Sequence, residues 1–507
     1  MHINAEYKTF VPQTKKDTMK KTLIISAFLS GLSLLPATSQ AQTGGGIFTA
    51  GPAMNRQRID PIMTTLDDGR IATFGGREFN FVSCSYADLY NPSTNTFTEI
   101  SMLHPHDMAS VVKLGNGKYF IIGGSMDLGV APGYATTEIF DPATNTFTDA
   151  GTMDYSRCWV SAALMANGKV LIAGAWYNTS GATYGDVYDA SANIFTATNA
   201  MNEPRANPLI LPTNDTGAMV LGGWDTYGSM NFTSVEYYSY ADNSFHSISS
   251  DIIPTDPGWL VSGAPFQRSP SADYRMTNGK YLVLASRTES YTEFALLTFD
   301  PATKVFSKIT TSTPIKDTCT DGGFYDVVLD KATNYAYLLG VDSGSDPLKI
   351  SLTMVDLSSG MVYHPGSTFT MPEAEYLFPN MAFIPSNGNI LLEGVSSTSS
   401  DYYHATNKTY IITPAISQGV KDLSADLVSI SLYPDPATDA LNLRFEKNAP
   451  ENVGVKIYDV AGRVLIATDI RVPAGVISVP IGQLCAGMYI CEVSSNGQVT
   501  RNKFLKK

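Results

Sequence analysis

One motif recurs along most of the chain and limits what it can fold into. An apolar run meets an Asp-Gly or Asn-Gly turn, a β-branched strand follows and stops at Gly-Gly, and a variable loop leads to another strand, a Pro/Thr/Asn turn and an aromatic-centred strand. The first copy reads Asp68-Gly69-Arg70-Ile71-Ala72-Thr73-Phe74-Gly75-Gly76, then Ala87-Asp88-Leu89-Tyr90-Asn91-Pro92-Ser93-Thr94-Asn95-Thr96-Phe97. The second reads Asn116-Gly117-Lys118-Tyr119-Phe120-Ile121-Ile122-Gly123-Gly124, then Thr137-Glu138-Ile139-Phe140-Asp141-Pro142-Ala143-Thr144-Asn145-Thr146-Phe147. A third runs from Asn167-Gly168-Lys169 to Gly174 and from Asp186 to Phe195. Weaker copies follow, and the turn glycine or its equivalent falls at 69, 117, 168, 217, 279, 334 and 388, at intervals of 48, 51, 49, 62, 55 and 54 residues.

Each part has a physical reason. Asn-Gly and Asp-Gly tolerate positive φ and close a hairpin; Gly-Gly ends a strand where backbones crowd; the Pro/Thr/Asn cluster turns the chain again. Four strands in about 50 residues make one propeller blade, and this period with Gly-Gly and a late aromatic resembles the kelch repeat. The fold class is therefore all-β: a kelch-type β-propeller over residues 42–412, seven blades by this count and six if the weak last copies are merged. Phe48-Thr49-Ala50-Gly51-Pro52-Ala53-Met54 mirrors Phe147-Thr148-Asp149-Ala150-Gly151-Thr152-Met153, so the N-terminal segment is expected to supply the outer strand of the last blade. The competing closure uses Thr409 to Ile412.

The repeat stops at a linker, residues 413–425. Residues 426–507 then carry Tyr433-Pro434-Asp435-Pro436-Ala437-Thr438-Asp439, alternating Leu441 and Leu443, Val455-Lys456-Ile457-Tyr458-Asp459-Val460-Ala461-Gly462-Arg463, Leu484-Cys485-Ala486-Gly487-Met488-Tyr489 and a final Lys503-Phe504-Leu505-Lys506-Lys507. Period-2 strands between regular turns give a small Ig-like β-sandwich. The ordered set resembles the C-terminal sorting domain of type IX secretion substrates, with Asp435 where that family usually has Asn. The resemblance implies a Gram-negative source, passage from the periplasm through the type IX outer-membrane machinery, and attachment at the cell surface or release into the medium.

The N-terminus agrees with export. Met19-Lys20-Lys21 precedes an apolar run from Leu23 to Leu35 and small residues at Ser39-Gln40-Ala41, the pattern of a signal peptide cleaved before Gln42, with Met19 as the natural start. The run is too short to span a bilayer, so no transmembrane anchor is expected. Without residues 1–41 the chain carries 29 basic and 45 acidic side chains, net −16, and the tail itself is net +1. So acidic an exported protein is not expected to bind nucleic acid. Five scattered cysteines form no disulfide scaffold or zinc pair; Cys485 with Cys491 is one pairing among several.

A cationic position also repeats. Arg58, His106, Arg157, Arg205 and Arg268 each precede a turn glycine by eleven or twelve residues, and the first four follow Met54, Met102, Met153 and Met201 by four. They fall on the face where each blade's outer strand passes to the next blade's inner strand. Two readings follow: cations aimed at one mouth of the channel for a carboxylated or sulfated ligand, or ties between neighbouring blades through loop carbonyls. Blades six and seven instead offer Asp321, Glu373 and Glu375. The loops after Gly-Gly open on the same face with Phe79, Phe81, Tyr86, Tyr134, Trp176, Tyr177, Tyr184, Trp224, Tyr227, Phe232 and Tyr291. Aromatic faces beside polar groups suit sugar rings and protein hot spots, and some of them would pack under their own loops.

Copper radical oxidases of the galactose oxidase type share this repeat style, and His106-Asp107-Met108 is similar to a segment of that family. Their cofactor needs a Cys–Tyr cross-link with further Tyr and His ligands; Met108 stands where the Cys would be and Trp159 where the Tyr would be. His104-Pro105-His106 alone makes a weak metal site, so no metal or cofactor is expected. A kelch-type sialic acid mutarotase would need Arg157 and Arg205 for the carboxylate and His106 or Glu375 for proton transfer. The reading is a surface propeller that binds glycans or proteins through Arg58, His106, Arg157, Arg205, Arg268, Trp159, Trp176, Trp224, Tyr134 and Tyr227, with a carbohydrate-active enzyme as the alternative.

Overall fold

The computed structural model of the protein describes residues 42–507 except 60, 79–81, 126–132, 177, 226–231, 262–273, 288–292, 316–322, 343–348, 366–367, 371–379, 394–395, 399–400, 405, 416–429, 435, 446–451, 460–463, 473–475 and 496–497. The expected leader, residues 1–41, lies outside the described residues. Secondary structure is almost entirely strand, interrupted by one short helix, Thr179–Thr183, among the described residues. No helix there is long and apolar enough to cross a membrane.

Seven blades follow in chain order, the first five as separate antiparallel sheets and the last two joined in one sheet. Blades one to five are four-stranded and span 62–101, 110–157, 161–200, 209–249 and 259–308; blade six spans 323–365. The seventh is built from both ends of the propeller: Asn380–Ile384, Asn389–Glu393 and Thr409–Ala415 lie in order, and Gln42–Ala50 adds the outer strand, with Ile47 opposite Thr413 and Ala50 opposite Tyr410. The first of the two competing closures is the one used, and Thr409 to Ile412 does not close the ring. Thr409–Ala415 is the third strand and the N-terminal segment the fourth. Gln42, Thr43 and Gly44 also pair in parallel with Tyr363, His364 and Pro365 of blade six, so one strand stitches two blades.

The hairpin turns behave as the spacing predicts, with one exception. Gly69, Gly117, Gly168, Gly279 and Gly388 all have positive φ. Gly217 is instead the first residue of a strand, and glycine is required there because a Cβ would meet the Tyr237 ring within 2.5 Å. The outer turns are locked by Asn in the left-handed region: Asn95, Asn193 and Asn243 have φ of 53–55° and accept hydrogen bonds from Tyr90, Tyr188 and Tyr238. Asn193→Ala forfeits both the tolerated backbone and the Tyr188 bond, and should lower stability by about 1–2 kcal/mol in denaturant unfolding. Apolar residues between adjacent sheets form the core, as where Phe74 meets Val111, Tyr119 and Phe140 of blade two.

Residues 430–507 form the second structure. Ile430–Tyr433, Ala440–Phe445 and Val476–Pro480 make one sheet; Val464–Arg471, Asn452–Tyr458, Gly487–Ser495 and Gln498–Lys506 make the other. Leu441, Leu443, Val455, Ile457, Val479 and Cys491 fill the space between them, matching the alternation seen in the sequence. Cys485 is exposed and Cys491 buried, both as free thiols, so they do not form the pair that the sequence allowed.

Candidate functional site

The repeated cation sits where each blade begins, and its surroundings are the same four times. Arg58, His106, Arg157 and Arg205 are at most 1% exposed. Each faces a carboxylate from the third strand of its own blade: Arg58 with Asp88, His106 Nε2 at 3.0 Å from Glu138, Arg157 at 2.7 Å from Asp186, Arg205 at 3.3 Å from Glu236. Each also bonds the carbonyl of the residue 17 positions on, Gly75, Gly123, Gly174 or Gly222, where the second strand ends. The backbone of the same residue ties to the preceding blade, since Gly76, Gly124 and Ala175 donate their N–H to the carbonyls of His106, Arg157 and Arg205. The carboxylates are held from the other side by Leu103, Asp154 and Asn202, which follow the buried Met102, Met153 and Met201 and donate their backbone N–H.

The geometry therefore departs from the ligand-binding expectation for these four side chains. They lie inside the blades, the charge of each of the three arginines is met by a buried acid and His106 lies against Glu138, so none of the four is turned to the opening. Desolvation pushes the Arg157 guanidinium down and the Asp186 carboxyl up, each partly offset by the other's charge. The sequence signal that marks the partners is the acid three residues before the outer turn: Asp88, Glu138, Asp186 and Glu236 follow their cations by 30, 32, 29 and 31 residues. In blade five the aligned position is the buried Leu297, and the carbonyl that meets Gly223 belongs to Val261. Arg268, Asp321, Glu373, Glu375, Phe79, Phe81, Tyr177, Tyr227 and Tyr291 lie outside the described residues.

Two residues beyond each cation the chain turns into the innermost strand, and here the site opens. Met108, Trp159 and Asn207 occupy equivalent positions in blades two, three and four, all in the left-handed region with φ of 52°, 53° and 48°. They join head to tail: Trp159 N–H donates to the Met108 carbonyl at 3.0 Å and Asn207 N–H to the Trp159 carbonyl at 2.8 Å. The loops after the second strands add Trp176 and Trp224. The Trp159 ring meets both edge to face, with centroids 6.0 and 5.4 Å away, and all three indoles are half-buried. Tyr134 is half-buried too, its hydroxyl pushed up by burial and eased by Ser83. The other loop aromatics pack locally: Tyr86 is buried under Arg56 and Arg58, Phe232 lies beneath Arg205, and Tyr184 stacks on Tyr155.

The copper-radical donor set does not fit this mouth. Trp159 and Met108 offer no phenol or thiolate. His106 is committed to Gly123 and Glu138, His104 lies 3.7 Å from Asp149, His246 bonds Asp242 in blade four, and His364 bonds Thr313 beside blade six. Among the described residues no three His, Cys, Asp or Glu side chains converge to hold a metal. Burial pushes the Cys84 and Cys158 thiols to about 11 and about 12, leaving them inert.

Comparison with known proteins places both parts. Residues 431–507 match the family described as the secretion system C-terminal sorting domain. The tail is a type IX sorting domain. It directs the protein out of the cell, to the surface or the medium. Beta-scruin of Limulus polyphemus is 23% identical over 219 residues, 41% of this chain and 24% of its own, so the chain spans about a quarter of that relative. A copper-bound fungal alcohol oxidase of the AA5 family superposes with a TM-score of 0.53 at 13% identity, covering 92% of this chain and 100% of its own. The body is a propeller of the kelch, galactose-oxidase-like type.

Proposed function

We propose that this sorted propeller is a surface glycan-binding module whose contact is the Trp159, Trp176 and Trp224 cluster, and that its ligand presents a neutral sugar face. The observation that carries this reading is the backbone beneath Trp159. A left-handed conformation costs a bulky residue roughly 1–2 kcal/mol more than it costs glycine. Asn207 meets that cost cheaply; Trp159 does not, yet it stands in the same turn with its ring against two other indoles. Half-buried indole faces suit the apolar face of a pyranose, and among the described residues Arg58, His106, Arg157 and Arg205 are buried against acids of their own blades rather than turned to a carboxylate or sulfate.

The mutarotase-like alternative gains no support from the geometry. Arg157, Arg205 and His106 are fully buried and engaged, which leaves no acid–base pair of theirs open to a substrate. A glycan array carrying neutral, sialylated and sulfated sugars tests the proposal. Neutral sugars are expected to bind, with affinity little changed by salt, and the Trp159→Ala, Trp224→Ala double variant should bind at least about tenfold more weakly. Retention of charged sugars alone would overturn the ligand class; silence across the array with capture of a defined protein would move the mouth to protein docking.

A further inference from the structure

In blades one to four the second strand ends on a buried apolar residue, whereas in blade seven it ends on a buried acid. By alignment on the glycine that follows the second strand (Gly75, Gly123, Gly174, Gly222 and Gly394), Glu393 stands where Phe74, Ile122, Ala173 and Leu221 stand in blades one to four. It is 3% exposed, and neither carboxylate oxygen has a hydrogen-bond partner. Its neighbours in the sheet are Asn380 and Thr409, and both side chains are turned elsewhere: Asn380 donates to the Pro61 carbonyl and Thr409 to the Pro52 carbonyl. Those bonds cross from blade seven to the segment that opens the propeller, so Glu393 lies on the seam where first and last blades meet. Facing it from blade one are Arg58, Asp88 and Thr73. Arg58 is already paired with Asp88, and the Thr73 hydroxyl completes no hydrogen bond with the acid.

We infer that this seam is a protonation-controlled latch: Glu393 fits between blades one and seven as the neutral acid, and loss of its proton places a second buried carboxylate beside an arginine that Asp88 has already neutralised, loosening the ring at its closure.

The direction follows from linkage. Burial raises the Glu393 carboxyl to about 7, against 4.5 in the unfolded chain. Between those values the folded state holds a proton that the unfolded state has lost, so stability falls as pH rises through that window and is flat above it. Hydrogen exchange of the full chain at pH 5.5 and 8.0, corrected for intrinsic rates, tests this. Protection in Asn389–Glu393, Thr409–Ala415 and Ile62–Thr65 should fall by about tenfold or more at the higher pH, while the inner strands of blades three and four change less. Glu393→Gln should abolish the difference, and Glu393→Leu, apolar like Ile122 and Leu221, should do the same if the amide is poorly tolerated. Equal seam protection at both pH values, or a difference that persists in both variants, would overturn the latch.

Discussion

Arg157→Ala is expected to cost about 3–5 kcal/mol of folding stability, because it leaves the Asp186 carboxylate buried without its counter-charge. The loss has more than one component. Arg157 also donates to the carbonyls of Gly174, Gly181 and Tyr184, which bring the end of the second strand, the short helix and the start of the third strand together. Urea unfolding at neutral pH measures it, as a lower midpoint with an unchanged slope. The partner variant separates charge from packing. If the pair is a tie whose desolvation is only partly repaid, Arg157→Met with Asp186→Leu should recover most of the loss. A single Arg157→Ala within about 1 kcal/mol of the parent would remove the buried tie as the explanation of the repeat and return the arginine to the mouth.

That test also shows how far sequence reasoning reached and where it stopped. Periodicity found the register of Arg58, His106, Arg157 and Arg205, because turn glycines and the preceding Met fix position along the chain. It could not give the direction of the side chain, since a residue at the junction between an outer and an inner strand can turn to the opening or into its own blade. The deciding information was distributed: one acid in the third strand of each of blades one to four, legible only when paired with a cation about 30 residues earlier. The tryptophans were visible as residues, but their convergence depends on three blades placing Met108, Trp159 and Asn207 in one left-handed turn, which no local pattern announces. Glu393 was hidden for a simpler reason. Its copy of the repeat is weak, and an acid after three apolar residues reads as an ordinary strand end until the sheet around it is known. Conversely, the small sandwich of the tail was legible in its strand alternation and turns, while its sorting role was legible only through the resemblance of its ordered motifs to a known family.

Deleting Gln42–Ala50 should abolish the cooperative unfolding of the propeller. The strand is the outer edge of blade seven and borders blade six, so its loss removes backbone pairing along its nine residues to Thr409–Ala415 and Met361–Pro365. It also removes Phe48, which stacks on Phe369 at 4.9 Å beside Tyr410. At about 0.5–1.5 kcal/mol per hydrogen bond the pairing alone approaches the whole margin of about 5–15 kcal/mol on which a folded domain rests. The rest of blade seven would still hold three strands, but its third would present an open edge, with apolar side chains of the core beside it. The defect should therefore be repairable from outside. A peptide of residues 42–50 added to the truncated chain is expected to restore a single thermal transition, with a midpoint that rises with peptide concentration by mass action. A scrambled peptide of the same composition should not. A truncated chain that melts cooperatively near the parent's temperature would mean that Thr409–Ala415 closes the ring unaided, and the N-terminal strand would then be an ornament of the seam rather than part of the fold.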